Sequence, residues 1–491
     1  MSNFSSEKSF PASRVYSLGL VAVGLVAILA GCKVGPNYET PKQHMPAAWV
    51  SPPTTRASIT VQEPLKVDKW WTTFNDPELN SLVERAVKSN LSLAIASERI
   101  RAARATVCIS SAPLLPLFTA NGAYTRSNSE LNHRALNTEL WHGGFDATWE
   151  LDVFGGVRRG VESAYANYES IIEDRRDVLV SLLGELATDY IRLRGFQQQV
   201  KISQENLTAQ ERTLKATREN VAIGRGSGLD VANLEAEVAS TKASIATFES
   251  TAQQQLYAIA VLLGEEPTAL IQELAPEGEI PIAPPVVPVG LPADLLRRRP
   301  DIRRAERELA SATADIGVAT ANLFPRFGLN GALTLGGPNF PDVFNWGTHV
   351  ATFGPTFNWT IFDAGQIWSN IEVKNAQQQQ ALLNYRLTVL SALADVETSL
   401  TAYAQEQQRR AQLADSVAAN QRAVSLAQQA YELGSRDFLN VIVAQESLLS
   451  AQNLLVQSNQ AVATDLVAIY KALGGGWEVG EPTATTQPVR Q

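Results

Sequence analysis

The sequence predicts a mainly α-helical protein with a membrane β-barrel. Each chain is internally duplicated and contributes four β-strands to the barrel. Three observations support this fold class. Two long blocks contain no proline, a short segment of alternating polar and apolar residues interrupts each block, and the two blocks share residues at a nearly constant offset. An export signal precedes both blocks.

This export signal occupies the start of the chain. Lys8 and Arg14 precede an apolar stretch, 18–30, which is too short to span a bilayer. The tetrapeptide LAGC that ends at Cys32 resembles the lipobox at which bacterial lipoproteins are cleaved and acylated. We therefore expect 1–31 to be a lipoprotein signal peptide and Cys32 to be the acylated first residue of the mature chain. The alternative is an ordinary cleaved signal with an incidental cysteine.

Covalent lipid on Cys32 would anchor the protein, because several acyl chains give lasting attachment where a single chain gives only marginal binding. Lys33 follows, whereas many Gram-negative lipoproteins that stay at the inner membrane have aspartate at this position. We therefore expect the cell outer membrane as the location and no cofactor beyond this lipid. Cys108 is the one other cysteine, so no internal disulfide is expected once Cys32 is a thioether, and Cys108 is interpreted as a small packed apolar residue.

Proline spacing predicts long helices. No proline occurs between Pro116 and Pro267 or between Pro355 and Pro482. In the first block the apolar residues keep helical spacing, which predicts a helix over about 160–221, on the order of 90 Å long at ~1.5 Å per residue. A helix of that length exceeds what a globular core needs.

The two blocks are copies of each other. An offset of 210 relates Trp149 to Trp359, Gly155 to Gly365, Arg212 to Arg422, Gly224 to Gly434, and Leu229 to Leu439. A tandem repeat explains matches that persist over such a distance. The predicted organisation is a signal peptide (1–31), an acylated extended segment (32–75), a first repeat with a helix, two strands and a long helical hairpin (76–264), a proline-rich linker (265–290), a second repeat (291–475) and a C-terminal tail (476–491).

Alternating segments predict the β-strands. The apolar positions are Phe145, Ala147, Trp149 and Leu151 in the first repeat, and every second residue from Ala351 to Ile361 in the second. Partner strands are predicted at about 117–127 and 327–335. This alternation is typical of transmembrane strands between lipid and a wet lumen, and a soluble sheet with one face on a core is the alternative. The residues predicted on the lumen face include Asp146, Glu150 and Asp152.

Four strands cannot close a barrel by themselves. Open strand edges are not tolerated in hydrocarbon, because unpaired backbone groups there have no water to bind. Two copies would give eight strands, with an interior filled by side chains, whereas three copies would give twelve strands and a lumen wide enough for solutes. We therefore predict a homotrimer.

The chain resembles outer-membrane efflux proteins of the TolC and OprM type, in particular their NodT-like lipoprotein branch. The motifs that carry this resemblance are "GPNYETP", "WELDVFGGVRRG", "LRRRPDIRRAERELASA" and "FDAGQ". The resemblance implies a TolC-like trimer with a twelve-stranded barrel in the outer membrane and a long α-helical barrel in the periplasm. It further implies a passive exit duct for drugs or other small molecules, joined through a periplasmic adaptor (membrane fusion protein) to an inner-membrane pump. The sequence leaves open whether that pump is of the resistance-nodulation-division (RND), ATP-driven or major-facilitator class, and the lipoprotein branch favours the RND type.

Two stretches, "VAIGRGSGLDVANLEA" from Val221 and "YELGSRDFLNVIVAQES" from Tyr431, are interpreted as the tips of antiparallel helical hairpins. Each combines a glycine after a helix with Ser or Asp placed to cap the next helix. By resemblance, the adaptor-docking residues at the tips are Gly224, Leu229, Gly434 and Leu439. By resemblance, the periplasmic gate comprises Asp230, Tyr431, Arg436, Asn440 and Val443. Because Asn440 and Val443 stand where TolC has acidic residues, an acidic ring is in doubt, and residues that merely cap helices and face water are the alternative.

Other functional classes lack support in the sequence. There is no HExxH motif, phosphate-binding glycine loop, nucleophile elbow or CxxC pair, so neither an enzyme nor a metal site is expected. A net charge of −9 argues against nucleic acid as a partner. The remaining alternative function is a structural coiled-coil lipoprotein that tethers envelope layers, which would require no aromatic strands.

Overall fold

The computed structural model describes residues 33–50, 58–60, 67–131, 134–224, 227–284, 287–289, 292–433, 435 and 438–480. The predicted signal peptide and three predicted site residues, Cys32, Gly434 and Arg436, lie outside the described residues. The chain divides into two compact units. The strand unit contains residues up to 42, 100–171 and 305–385, and the helical unit contains residues 43–99, 172–304 and 386 onwards.

Nine α-helices and six strands are present in the described parts of the chain. The strands are β1 (Ser58–Thr60), β2 (Leu117–Leu131), β3 (Arg134–Leu151), β4 (Val287–Val289), β5 (Arg326–Gly337) and β6 (Val350–Asn358). The helices are α1 (Pro77–Ser89), α2 (Leu91–Ser111), α3 (Gly156–Ala222), α4 (Gly228–Leu262), α5 (Ile271–Leu274), α6 (Leu295–Arg298), α7 (Pro300–Ala321), α8 (Gln366–Glu432) and α9 (Leu439–Ala472). Within the described ranges, every helix is too short or too polar to cross a bilayer.

The strand unit is organised around one antiparallel sheet with strand order β2-β3-β5-β6. Each repeat supplies a hairpin-like pair, β2 with β3 and β5 with β6, and the two pairs join through β3 and β5. Among the described residues, β2 and β6 therefore each pair with another strand on one side only. All four predicted strands are present, and the fourth is shorter than predicted.

The junctions between strands and helices repeat the same construction. The indole Nε1 of Trp149 donates to the Leu114 carbonyl, and that of Trp359 donates to the Leu323 carbonyl, both at 3.0 Å. A few residues further on, Gly155 and Gly365 adopt left-handed backbone conformations, with φ of 78° and 85°. Such values favour glycine, because a side chain would clash with the backbone. The two tryptophans and the two glycines are 210 residues apart and the two leucines 209, so these matched contacts confirm the internal duplication.

The long helices have the predicted positions. Helix α3 begins at Gly156 and α8 begins at Gln366, and each contains 67 residues. In the helical unit, α3 buries an apolar stripe that includes Leu179, Leu183 and Leu186, each fully buried. This spacing of three or four residues places the stripe on one face of the helix, as the sequence pattern predicted.

The helical unit also fixes the segment before α1 and the segment between the repeats. The ring of Trp70 stacks on that of Tyr470, with centroids 5.5 Å apart. Arg194 donates to the Pro276 carbonyl at 2.8 Å, within the proline-rich stretch predicted as a linker. That stretch also contains α5 and β4, and β4 pairs in parallel with β1. The stretch is therefore folded onto the helical unit in its described parts.

Two sequence predictions about individual positions are wrong. Strand β6 ends at Asn358 and does not continue to Ile361, because the chain turns into α8, whose first N–H groups the Asp363 carboxylate caps. Cys108 is exposed on α2 and is not a packed core residue. Its neighbour Ile109 is also exposed, so this part of α2 presents side chains that the described parts of the chain leave uncovered.

Candidate functional site

The sheet has one apolar face and one mainly polar face. The strand register places Phe145 of β3 opposite Leu333 of β5, and Gly331 opposite Phe353 of β6, on the same face. The residues that share this apolar face are Phe118, Ala120, Gly122, Tyr124, Trp141, Gly143, Phe145, Ala147, Trp149, Leu151, Phe327, Leu329, Gly331, Leu333, Leu335, Ala351, Phe353, Pro355 and Phe357. In the single chain, Phe353 is 78 % exposed, so the face is unusual for a soluble sheet.

The opposite face carries the hydrogen-bonding side chains. Its polar members are Thr119, Asn121, Thr125, His142, Asp146, Thr148, Glu150, Asn330, Thr334, Thr352 and Thr356. The Asn121 amide donates to the Asp146 carboxylate across β2 and β3. Of the three acidic residues predicted on this face, Asp146 and Glu150 lie on it. Asp152 does not, since its carboxylate caps α3 and binds Arg158 with an Nε–O distance of 3.1 Å.

The N-terminal segment after Cys32 is fixed to the strand unit by a buried arginine. Arg159 of α3 is only 1 % exposed. Its guanidinium donates to the carbonyls of Val34 and Gly35 at 3.0 and 3.2 Å, and to the Asn37 side chain at 2.8 Å. Glu162 accepts from the same guanidinium at 3.0 Å and balances its charge. We call this contact between Arg159 and residues 34–37 the N-terminal clamp.

Close backbone approach supports the clamp. Gly35 has a φ of 83°, and a Cβ atom there would lie 2.5 Å from the Gly317 Cα atom. Further along the segment, the Tyr38 hydroxyl donates to Glu306 at 3.0 Å. Burial, and then the nearby Glu306 carboxylate, raise the pKa of Tyr38 to about 12. These contacts give the "GPNY" motif a structural role that its sequence pattern did not reveal.

The helical unit contains the two hairpins predicted from the glycine-containing tips. Gly224 ends the first hairpin's α3 with a φ of 76°, and the Ser227 hydroxyl accepts the Leu229 N–H at 3.1 Å to cap α4. Both features match the predicted tip. A buried cluster made of Leu214, Leu234, Val238, Phe438, Val441 and Ile442 packs the first hairpin against the second. We call it the tip cluster.

Of the five predicted gate residues, the four that the structure describes lie at or beside the tip cluster. The Tyr431 ring packs against Phe438, with centroids 4.9 Å apart. Asp230 lies in the first turn of α4 and is partly buried, and among the described residues it shares no hydrogen bond with Tyr431. Asn440 and Val443 are exposed in the first turns of α9. The third proposed latch residue, Arg436, lies outside the described residues, so the latch stays a prediction.

Exposed apolar side chains flank the turn of each hairpin. Leu229 and Leu439, both predicted docking residues, are 67 % and 53 % exposed. Sequence reasoning missed a second matched pair, Ile223 and Leu433, which are 65 % and 83 % exposed. The same offset of 210 that aligned the leucines also aligns this pair, so the signal was present in the sequence.

A carboxyl pair between the hairpins was also missed. Glu237 of α4 is hydrogen-bonded to Glu446 of α9, and burial followed by this hydrogen bond raises the pKa of Glu237. The Gln210 amide donates to the other side of Glu237 at 3.1 Å. Two carboxyl groups in contact share a proton more easily than both ionise. No group of three or more His, Cys, Asp or Glu that could hold a metal occurs within the described residues.

A duplicated chain with an amphipathic four-stranded sheet and long helical hairpins defines a class, the outer-membrane channel subunits. The chain belongs to the outer membrane efflux protein family, whose sequence profile matches residues 82–265 and 291–475. The observed sheet excludes the helical tethering lipoprotein, which would have no such strands.

Relatives and solved structures agree with this assignment. The chain is 32 % identical to "Nodulation protein T" of Rhizobium leguminosarum bv. trifolii over 453 residues, which cover 92 % of this chain and 96 % of the relative. It is 31 % identical to "Toluene efflux pump outer membrane protein TtgC" of Pseudomonas putida over 457 residues, 92 % of this chain and 94 % of the relative. The solved outer-membrane channel OprN is similar with a TM-score of 0.84 and 35 % identity, covering 91 % of this chain and all of that one.

Proposed function

We propose that the protein is the passive exit duct of a tripartite efflux system and works as a homotrimer. The observation that carries this proposal is the four-stranded sheet, one face of which carries an apolar band, with edges at β2 and β6 that no other described strand pairs. Edge-to-edge pairing of β6 with β2 of the next copy would satisfy both edges. Three copies of four strands supply a twelve-stranded barrel with its apolar face toward lipid and its polar face toward the lumen.

Accumulation assays in a deletion strain test the duct. We expect loss of the protein to raise the intracellular level of toxic small molecules and to lower the concentration that stops growth, with recovery when the gene is restored. Thr352→Ala, on the polar face, serves as a matched control that keeps the sheet intact. Unchanged accumulation together with a leaky or detached envelope would contradict the duct.

We further propose that the hairpin tips contact a periplasmic adaptor, which joins the duct to an RND-type pump. The support is the pair of exposed apolar side chains at each tip, Ile223 with Leu229 and Leu433 with Leu439. Matched apolar residues on otherwise polar tips are suited to a partner that covers them. Leu229→Asp with Leu439→Asp should abolish efflux while trimers persist in the membrane. Normal efflux by this double variant would contradict docking through the leucines.

The same tips would form the periplasmic gate. In this proposal Asp230, Tyr431 and Arg436 link the hairpins in the closed state, and Asn440 and Val443 line the constriction. Exposed ion pairs contribute only about 0 to 1 kcal/mol each, so the three copies must act together. Arg436→Ala should raise the leak of large antibiotics into the cell, and unchanged susceptibility would remove the latch.

We propose that Cys32 carries the lipid anchor. The support is the N-terminal clamp, which fixes the residues directly after Cys32 to the strand unit and so gives the anchor a defined starting point. Mass spectrometry of the mature N-terminal peptide should show acyl groups on Cys32. Cys32→Ser should leave the signal uncleaved at this site, and an unmodified Cys32 in the mature protein would contradict the anchor.

A further inference from the structure

The connection between β5 and β6 is built as a compact element. Residues 338–349, which we call the aromatic flap, contain two 3-10 turns, Phe340–Phe344 and Trp346–Thr348. The Asp342 carboxylate accepts the Asn339 N–H at 3.0 Å, and its carbonyl accepts the Thr348 hydroxyl at 2.8 Å. The flap therefore holds its aromatic side chains in defined positions.

Two contacts place the flap on the apolar face of the sheet. The Val343 Cγ1 atom lies 2.9 Å from the point that a Cβ atom on Gly143 would occupy. The rings of Phe340 and Trp141 meet edge to face, with centroids 5.2 Å apart. Gly143 and Trp141 both belong to the apolar face, so the flap packs against the apolar side of the sheet.

The flap exposes aromatic side chains on this outer side. Phe344 and Trp346 are 75 % and 63 % exposed, and the Trp346 ring stacks on His349 with centroids 4.9 Å apart. Indole and imidazole rings combine an apolar body with a polar edge, which suits a boundary between apolar and wet surroundings.

The flap lies where the apolar band of the sheet ends. Trp141 and Trp149 are eight residues apart on β3, about 27 Å along the strand and about 20 Å along the bilayer normal at a tilt of ~40°. Aromatic residues at both limits of an apolar band about 25 Å tall are typical of membrane barrels. Two residues beyond Trp141, the same face carries an ion pair between Arg126 and Glu139, with an N–O distance of 3.7 Å. The surroundings thus change from apolar to polar at the level of the flap.

We propose that the aromatic flap is a lipid-binding surface, which seats Phe344 and Trp346 at the boundary between the acyl chains and the headgroups of the outer leaflet. The flap thereby fixes the depth of the barrel at the end of the sheet opposite to the strand-to-helix junctions. This inference rests on the proposed function, which puts the apolar face against lipid. The flap continues that face without interruption through Phe340 and Val343, which is why lipid and not a second protein is its partner.

Fluorescence quenching in phosphatidylcholine vesicles tests the proposal with the full trimer. The emission of Trp346 is obtained as the difference between the unmodified protein and Trp346→Phe. We expect lipids brominated near the headgroup to remove most of this emission, lipids brominated near the chain end to remove less, and aqueous iodide to remove little. The difference emission of buried Trp71, obtained with Trp71→Phe, should respond to none of these quenchers.

A second reporter separates failure of the flap from failure of the proposed function. Phe353→Trp, made in the Trp346→Phe background, places an indole in the middle of the apolar face. If deep bromines quench this indole while only iodide quenches Trp346, the flap faces water and the proposal is overturned. If no reagent quenches Trp346, a neighbouring copy covers it, which also overturns the proposal. If bromines quench neither indole, the sheet does not face lipid and the proposed function itself fails.

Gly143 provides a matched pair of variants. Gly143→Leu puts a side chain where Val343 now packs and should move the flap outward, so that Trp346 emission shifts to the red and iodide quenching increases. Gly122 lies directly opposite Gly143 on the same face, and a Cβ there meets only the His142 carbonyl at 3.6 Å. Gly122→Leu should therefore leave Trp346 unchanged. Equal responses of the two variants would contradict the role of Gly143 in seating the flap.

Discussion

The two repeats keep the same backbone plan and assign different tasks to equivalent positions. Both carry a tryptophan that bonds the end of the preceding helical segment, a left-handed glycine before a 67-residue helix, and exposed apolar residues at the hairpin tip. The clamp residue Arg159 of the first repeat corresponds to Ser369 of the second, and Gly143 corresponds to Phe353. The first repeat therefore holds the N-terminal segment, while the second supplies the aromatic flap.

This difference shows which contacts both repeats require. Junctions and tips recur because each repeat needs a strand-to-helix turn and a hairpin end of the same geometry. The apolar face tolerates divergence, since either a side chain such as that of Phe353 or the flap residue Val343 over Gly143 can present apolar surface outward. Substitutions at equivalent positions can therefore test whether the repeats are interchangeable.

The largest expected effect comes from a charge on the apolar face. Phe353→Arg should cost about 3 kcal/mol per chain, because an arginine near the bilayer midplane is strongly unfavourable. Thr352→Arg, one residue away on the polar face, should cost little. Folding into vesicles, followed as recovery of trimers by gel electrophoresis, measures both. Equal recovery of the two variants would mean that the faces are not distinguished by lipid.

Removal of the N-terminal clamp should have the next largest effect. Arg159→Ala deprives two backbone carbonyls and the Asn37 side chain of their donor, at a cost of about 2 kcal/mol. Ser369→Ala, at the equivalent position in the second repeat, should change the free energy of unfolding by less than about 0.5 kcal/mol. Limited proteolysis of residues 33–42 reports release of the segment directly. Protection of this segment in Arg159→Ala would show that other contacts hold it.

A smaller effect is expected at the hairpin tip. Gly224→Ala forces a side chain into a left-handed conformation, at a cost of about 1 kcal/mol. Gly228→Ala is the control, because a Cβ at either glycine meets nothing within 4 Å and only Gly224 has a positive φ. Hydrogen exchange at the tip measures the local opening free energy. If the repeats use the same turn, Gly434→Ala should match Gly224→Ala, and a different response would limit the duplication to the hairpin stems.

The smallest effect concerns the carboxyl pair, to which the first repeat contributes Glu237 and the second contributes Glu446; Ser447 stands at the position equivalent to Glu237. The folded protein raises the pKa of Glu237 above its ordinary value, so the folded state binds this proton more tightly than the unfolded state. The contribution of Glu237 to stability is therefore greatest below the ordinary glutamate pKa and is lost as pH rises through the raised pKa. Glu237→Gln should flatten this fall in thermal unfolding curves, whereas Glu235→Gln, on an exposed side chain of the same helix, should preserve it.

Periodic and repeated features could be predicted from the sequence. Helical spacing predicted α3 to within a few residues, and alternation predicted the strands. The offset of 210 aligned Gly155 with Gly365, which share a left-handed backbone conformation. These signals either depend on neighbouring residues or occur in both repeats. They can therefore be recognised from this one sequence.

Non-periodic contacts could not be predicted in the same way. The Arg159 clamp joins residues more than 120 positions apart, and the flap consists of turns whose residues follow no period. Asp152 was assigned to the lumen because alternation continued through it, although its carboxylate satisfies the N–H groups that begin α3. The environment of Cys108 was misjudged because burial depends on which other surfaces cover α2, and no sequence pattern records that.

Native mass spectrometry of the protein extracted in detergent from outer membranes tests the central claim most directly. The account predicts a trimer of chains that begin at Cys32, each heavier than its sequence by the mass of its acyl groups. This result would support both the pairing of the β2 and β6 edges between copies and the lipid anchor on Cys32. A stable monomer of full acylated mass would leave those edges unpaired and contradict the trimeric duct.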